Sequence, residues 1–311
     1  SEAQDANSYA PDSLLAFGQT YYWRVDEVNG APDYTVFKGD VWSFTTEPFA
    51  YAITPTAATA SSSQNADMAA TKTIDGSGLN ELDQHSTEPK DMWLSGAGGE
   101  SPWIQYEFDG VYKLHEMWIW NSNQLIEAFV GLGAKDVTIE TSTDAAIWTV
   151  LAGVAPLAQA PGTEGYAHNN SIDFAGAMAQ YVRLTINAGF GVMPQYGLSE
   201  VRFFHIPAKA REPRPVSGAT SAGVDVVLSW RAGREAAVHQ VSFGKDSEAV
   251  ANGTAVVGTV SDSQFDLKDQ GVEFGTTYFW KVDEVNEAGS PASYAGELWS
   301  FNTPEYAVVD N

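Results

Sequence analysis

The chain has 311 residues, no cysteine and a formal net charge of −24, from 16 Lys and Arg against 40 Asp and Glu. Such acidity argues against nucleic acid or an anionic membrane surface as a partner, and the lack of cysteine excludes a disulfide framework and a thiolate zinc site. The length suits two domains and part of a third, and the 10 Trp, 13 Tyr and 15 Phe are enough for packed cores.

The first predicted element belongs to an internal repeat. Residues 17–46 (FGQTYYWRVDEVNGAPDYTVFKGDVWSFTT) and 274–303 (FGTTYFWKVDEVNEAGSPASYAGELWSFNT) align without a gap, with 16 of 30 positions identical. Bulky residues alternate in each copy, a pattern that predicts strand, loop and strand.

Residues 1–49 hold too little chain before the first copy to complete a sandwich around it. We therefore expect the faces that carry Trp23, Val25, Trp42 and Phe44 to be poorly buried. The segment is interpreted as the C-terminal strands of a partial module, either cut from a longer tandem protein or completed by another chain.

Residues 50–207 form the predicted central module. No stretch of 12 residues shows helical periodicity, so the module is predicted to be all-β. The predicted strands are Trp103–Phe108, Lys113–Asn121, Lys135–Ser142, Trp148–Leu151, Ile172–Phe174, Tyr181–Asn187 and Leu198–His205.

Several short sequence motifs in this module resemble those of a known family. They are Thr73–Gly76 (TIDG), Met92–Ser95 (MWLS), Trp103–Phe108 (WIQYEF), Val137–Asp144 leading to Trp148, Gln180–Leu184 (QYVRL) and Gly197–Phe203 (GLSEVRF). In this order the module resembles a discoidin domain, the coagulation-factor C-type, galactose-binding-like family. The resemblance implies a jelly-roll β-sandwich with a non-catalytic, sugar-binding role, although the segment between Gly76 and Met92 is longer than usual.

The resemblance also implies one structural Ca²⁺. The matching positions are Asp75 and Glu200, with backbone carbonyls near Lys72 and Gly78 to complete the shell, and hard oxygen ligands of this kind suit the ion. The alternative is that Asp75 caps a turn and Glu200 is solvated.

For a glycan, an aromatic platform beside amides is the expected arrangement, because the ring packs on the sugar's C–H face while the amides bind hydroxyls. We predict such a site, open to solvent, with the candidate residues Trp120, Asn121, Asn123, Gln124, His85 and Tyr196. Gln124 stands where many family members carry Arg. The alternatives are that Trp120 is a core residue beside Trp118 and that the amides form a structural turn.

Residues 208–305 read as a second sandwich, in which Val224–Trp230 and Val238–Gly244 precede the second repeat copy. This pattern resembles a fibronectin type III domain. The sequence of the repeat is similar to sequences in large extracellular proteins of planctomycete-type bacteria. Residues 306–311 are interpreted as the start of a further linker or module.

No catalytic motif is present, and the acidic pairs Asp26–Glu27 and Asp283–Glu284 recur at equivalent repeat positions, which favours a structural role over glycosidase carboxylates. We expect a carbohydrate-binding or adhesion module of a secreted or cell-surface protein. Its partner would be a glycan or neighbouring copies, with no nucleic acid and no membrane insertion. The alternative function is a structural repeat of an extracellular filament or surface layer.

Overall fold

A computed structural model describes residues 6–98 and 101–306, and the chain divides into two compact units, Ser1–Tyr51 and Ala52–Asn311. Both are built from strands, so the predicted all-β class is confirmed. Residues 307–311, most of the predicted start of a further module, lie outside the described residues. Within the described ranges, no helix is long and apolar enough to cross a bilayer.

The first unit contains two small antiparallel pairs. Its strands are β1 (Thr20–Trp23), β2 (Glu27–Val28), β3 (Val36–Phe37) and β4 (Trp42–Thr45), with β1 paired to β4 and β2 to β3. Trp23 packs on Trp42 with ring centroids 4.7 Å apart, yet the two side chains stay 49% and 46% exposed. The prediction that these faces are poorly buried is therefore confirmed.

The central module follows from residue 51 onward and consists of strands joined by long loops. The strands are β5 (Tyr51–Ile53), β6 (Ala57–Ala60), β7 (Gln84–His85), β8 (Trp93–Leu94), β9 (Trp103–Asn121), β10 (Ala134–Ser142), β11 (Thr149–Val150), β12 (Tyr166–Ala167), β13 (Asn170–Asp173), β14 (Met178–Gly189) and β15 (Gly197–Ile206). The helix α1 (Glu127–Val130) and the 3₁₀ turns Ala66–Met68, Ala70–Thr73 and Pro89–Asp91 lie in its loops.

The long strand β9 takes part in both layers of this module. Its first half pairs with β6 and β14, and its second half pairs with β13 and β15. The two segments predicted as separate strands, Trp103–Phe108 and Lys113–Asn121, are thus one continuous strand.

Period-2 alternation along β9 decides which side chains enter the core. Ile104, Tyr106 and Phe108 from the first half, with Met117 and Ile119 from the second, are fully buried in one apolar cluster. The side chains between them point to the outer faces, and those of the second half build the candidate site.

The third part is a two-sheet sandwich, whose first strand is β16 (Arg211–Arg214). Its other strands are β17 (Val227–Arg231), β18 (Val238–Gly244), β19 (Val256–Val260), β20 (Gln264–Asp266), β21 (Thr277–Val285), β22 (Ser293–Tyr294) and β23 (Trp299–Asn302), with helix α2 (Ser247–Ala251) after β18. One sheet has the order β16-β17-β20, and in the other β19, β18 and β21 run side by side with β22 and β23 on β21. Trp280, Val282 and Phe301 are fully buried between them.

Candidate functional site

The amide segment that ends β9 is sealed inside the protein. Asn121 is fully buried, and its Nδ2 donates to the carbonyl oxygens of Ala134 (2.7 Å) and Ala158 (2.9 Å). Its Oδ1 accepts from the backbone N–H of Ala134 (2.9 Å). The prediction that this segment opens to solvent is wrong, because each polar atom of the Asn121 side chain satisfies a buried backbone group.

Asn123 ties two loops together in the same way. Its Nδ2 donates to the carbonyls of Ser86 (3.1 Å) and Thr163 (2.8 Å), and its Oδ1 accepts from the N–H of Gly162 (2.9 Å). Gln124 is 6% exposed and lies in the same closed region. Asn121 and Asn123 are therefore structural and join distant loops, and a ligand reaches neither of them without opening those loops. The buried Nε2 of Gln124 has no hydrogen-bond partner.

The other predicted binding residues do not line an open site with them. Trp120 is fully buried, and its Nε1 donates to the carbonyl of Asp83 (3.0 Å). His85 is fully buried, with its ring pressed against Gly78 so closely that a Cβ there would lie 2.5 Å from Cε1. The prediction that Trp120 and His85 are open to solvent is therefore wrong. The segment between β6 and β8, which carries both Asp83 and His85, covers Trp120, and the ring of His85 is buried within it.

Tyr196 directly precedes β15, two residues before Leu198, which pairs with Asn121 at the end of β9. Its half-buried ring packs against Gly189, where a Cβ would approach to 2.7 Å, and its backbone N–H donates to Ser95 Oγ (3.0 Å). Tyr196 is thus near the end of β9, but its ring packs on the apolar core and does not form an open surface with Asn121.

An open aromatic cluster does lie two residues earlier on the same strand face. Trp118 is half-buried, and the ring of His168 stacks on it at 4.2 Å with an interplanar angle of 7°. The half-buried Phe204, from the neighbouring strand β15, lies 4.5 Å from Trp118. We call the surface formed by Trp118, His168, Phe204, Arg202 and Glu116 the Trp118 patch.

Charged groups border these rings. Arg202 forms a two-pronged ion pair with Asp83 at 2.8 and 2.7 Å, and its guanidinium lies 6.0 Å from the centre of the Trp118 ring. The hydrogen bonds of this pair raise the pKa of Arg202 and lower that of Asp83, so both stay charged. Glu116 accepts a hydrogen bond from the exposed Ser171 hydroxyl at 2.8 Å.

Burial lowers the pKa of His168 from its ordinary value, so its ring is neutral at pH 7. A neutral imidazole has one donor and one acceptor nitrogen, and the patch therefore combines flat apolar rings with donors and acceptors. The sequence offered a signal for Trp118, which shares the face of Trp120 at a spacing of two. It offered none for His168, which arrives from the loop before β13.

The predicted metal residues Asp75 and Glu200 lie close enough to interact. Glu200 is 5% exposed, and its Oε2 has no hydrogen-bond partner. Burial, with the charge of Asp75, raises the pKa of Glu200 to about 8. Although burial acts to raise it, hydrogen bonds from Ser77 and Lys72 hold the pKa of Asp75 below its usual value.

This environment fits a bound cation. A buried carboxylate oxygen without a partner beside a second, ionised carboxylate is stabilised by a divalent ion more than by any neutral neighbour. Lys72 Nζ, 3.1 Å from Asp75, supplies one positive charge at present. The carbonyl of Gly78 already accepts from the N–H of Ser86 at 2.8 Å. Among residues 6–98 and 101–306 there is no cluster of three or more His, Asp or Glu side chains suited to a metal, so backbone oxygens would have to complete the shell.

Comparisons with known proteins find matches to the central module. Residues 57–196 match the family model of the F5/8 type C domain, so the central module is similar to that family. No curated protein matches the chain.

Among solved structures, the chain is similar to the family 32 CBM of NanJ from Clostridium perfringens in complex with galactose, at 14% identity and a TM-score of 0.37 over 50% of this chain and 99% of that one. It is similar to CpGH89CBM32-5 from the same organism in complex with GalNAc-β-1,3-galactose, at 15% identity and a TM-score of 0.36 over 47% and 93%. A family 89 glycoside hydrolase of C. perfringens matches at 16% identity and a TM-score of 0.34 over 48% of this chain, which spans only 14% of that hydrolase.

Proposed function

We propose that the central module is a non-catalytic carbohydrate-binding module and that the Trp118 patch is its glycan site. The observation that carries the proposal is the partly exposed Trp118, bordered by the Arg202–Asp83 pair. A pyranose packs its C–H face on an aromatic ring, and charged hydrogen-bond partners orient its hydroxyls.

The polar groups of the patch have defined roles in this proposal. Arg202 has its guanidinium held by Asp83, so the site's donor is oriented before the sugar arrives and little side-chain entropy is lost on binding. Glu116 and His168, the other polar residues of the patch, supply acceptors. The proposed ligand is a neutral or weakly charged glycan, because the net charge of −24 disfavours polyanions.

A glycan array followed by titration calorimetry on the full chain tests the proposal. We expect Trp118→Ala to weaken binding of the best ligand at least about tenfold, which is about 1.4 kcal/mol. Trp148→Ala is the matched control, because Trp148 is also half-buried and lies in the loop between β10 and β11. The centre of its ring is 4.0 Å from the Arg183 guanidinium. Silence across plant, algal and bacterial glycans, or equal loss in both variants, contradicts the proposal.

A structural Ca²⁺ held by Asp75 and Glu200 is part of the same proposal. Support comes from the unpartnered Glu200 Oε2 and the like charge beside it. When bound, the ion would neutralise both carboxylates and fix the loop after residue 75 against β15. The carbonyls of Lys72 and Gly78 are the proposed further ligands.

The wider setting is also a proposal. We infer a secreted or cell-surface protein in which residues 208–305 form a fibronectin-III-like spacer and the central module serves adhesion. The two-sheet arrangement of β16–β23 and the hydrogen bond from the N–H of Glu273 to the hydroxyl of Tyr278 (2.9 Å), a tyrosine corner, support this. A fractionation of the producing cells, with antibody against the chain, tests the location.

A further inference from the structure

Both repeat copies have the same local structure. The hydroxyl of Tyr21 accepts from the N–H of Ala16 at 2.9 Å, and Tyr278 accepts from Glu273 at the same distance. Backbone bonds agree as well, since the N–H of Gly18 donates to the carbonyl of Glu47 at 2.9 Å, as that of Gly275 does to Pro304 at 2.8 Å. The first copy is therefore folded locally like the second.

The two copies differ in what covers them. Trp23 and Phe44 are 49% and 46% exposed, whereas the equivalent Trp280 and Phe301 are fully buried. Val25 is 48% exposed, and the equivalent Val282 is fully buried. The same side chains thus form an open apolar face in one copy and a core in the other.

In the second copy, strands β17 and β18 provide the cover. Phe243 stacks on Tyr278 at 4.9 Å, and Trp230 lies 6.4 Å from Trp280. Strand β18 also pairs along β21, with Val241 opposite Val282. The cover therefore supplies both apolar side chains and backbone hydrogen bonds.

The missing cover also changes strand length. With β18 beside it, β21 runs for nine residues, Thr277–Val285. In the first copy the matching stretch divides into β1 and β2, and within residues 6–51 no strand pairs with the edge of β1 opposite β4. An unpaired edge beside an apolar face is a template for strand addition.

We propose that the open face of Trp23, Val25, Trp42 and Phe44 binds a β-strand segment that lies outside residues 1–311 and has the apolar pattern of residues 224–245. The occupant is identified by the second copy, where that pattern fills the equivalent face. A second copy of this chain in its native fold does not fit, because its own Leu228 and Val241 are fully buried.

The test uses the full chain and a synthetic peptide of residues 224–245 (VDVVLSWRAGREAAVHQVSFGK). Hydrogen exchange is followed by mass spectrometry with and without the peptide. We expect amides of residues 20–28 to exchange at least about tenfold more slowly at saturating peptide, as added strand hydrogen bonds require. Residues 277–285, already paired, act as the internal reference and do not change.

The matched control is the same peptide with Leu228→Asp and Phe243→Asp, which keeps the backbone and removes the apolar contacts. Equal protection by this peptide, or no protection by the native one, overturns the proposal. Light scattering of the chain without peptide gives a second check. A dimer that Trp23→Ser abolishes would mean that a second copy covers the face, and this too overturns it.

Discussion

Glu200 and Asp75 are interacting acids that differ in protonation at neutral pH. Burial beside Asp75 raises the pKa of Glu200 to about 8, whereas hydrogen bonds from Ser77 and Lys72 keep Asp75 ionised. Lys72 supplies one positive charge beside the two carboxyl groups. At neutral pH a proton on Glu200 removes the second negative charge, which would otherwise need a cation. This relationship makes the stability of the central module depend on both pH and divalent cations.

The first prediction concerns pH without divalent ions. The pKa of Glu200 rises from about 4.3 in the unfolded chain to about 8 in the folded one. Between these values the folded state keeps a proton that the unfolded state has lost, so the stability from this group decreases as pH rises through this window. Denaturant unfolding in EDTA should show this decrease in the native chain, and Glu200→Gln should remove most of it.

Calcium should stabilise the native chain more than the Glu200→Gln variant. At pH 8 the ion stabilises the ionised pair, by about 2.7 kcal/mol at a concentration of 100 Kd. Glu200→Gln, which lacks one charge, should gain much less. Thermal unfolding with and without Ca²⁺ measures this, and an equal gain in both proteins contradicts a site at Asp75 and Glu200.

The second prediction concerns Asn121. Asn121→Ala removes the buried hydrogen bonds to the carbonyls of Ala134 and Ala158 and from the N–H of Ala134, so we expect a loss of about 3 kcal/mol or more in unfolding free energy. Asn187→Ala is the control, since the exposed Asn187 bonds only the hydroxyl of Thr138. Its expected loss is below about 0.5 kcal/mol. Similar losses in both would contradict a structural role for the amide.

The third prediction compares equivalent tryptophans of the repeat. Trp299→Ala should cost about 3–5 kcal/mol, because the side chain is 5% exposed in a packed core. Trp42→Ala should cost less than about half of that, since Trp42 is 46% exposed and has mainly Trp23 beside it. Hydrogen exchange of each copy reports the local loss, and equal costs would show that the first copy is covered in solution.

The fourth prediction concerns the junction between the central module and the following sandwich. Lys113, on β9, is 9% exposed and forms an ion pair with Glu235, with its Nζ 5.4 Å from the centre of the Tyr294 ring. Lys113→Met removes the pair and leaves Glu235 unpaired. We expect calorimetry to resolve separate transitions for the two modules, while Lys135→Met, at an exposed position, keeps the native profile.

Much of the fold was predictable because local alternation determines it. The aromatic and β-branched pattern of β9 and β21 identified the strands and the side chains that enter the cores. The gap-free repeat predicted that Trp23 and Phe44 would be poorly buried within this sequence, because residues 1–16 are too few to form the strands that precede the second copy. These inferences need only residues near one another in the chain.

The candidate site was less predictable, because solvent access depends on loops that are distant in sequence. Trp118 and Trp120 share one strand face by period 2, and the sequence by itself determined that much. Only the tertiary structure decided that the loop carrying Asp83 covers Trp120 and leaves Trp118 half open, and that segments near residues 134 and 158 enclose Asn121. The physical reason is that a buried amide is satisfied by whichever backbone groups surround it, and chain positions alone do not determine those neighbours.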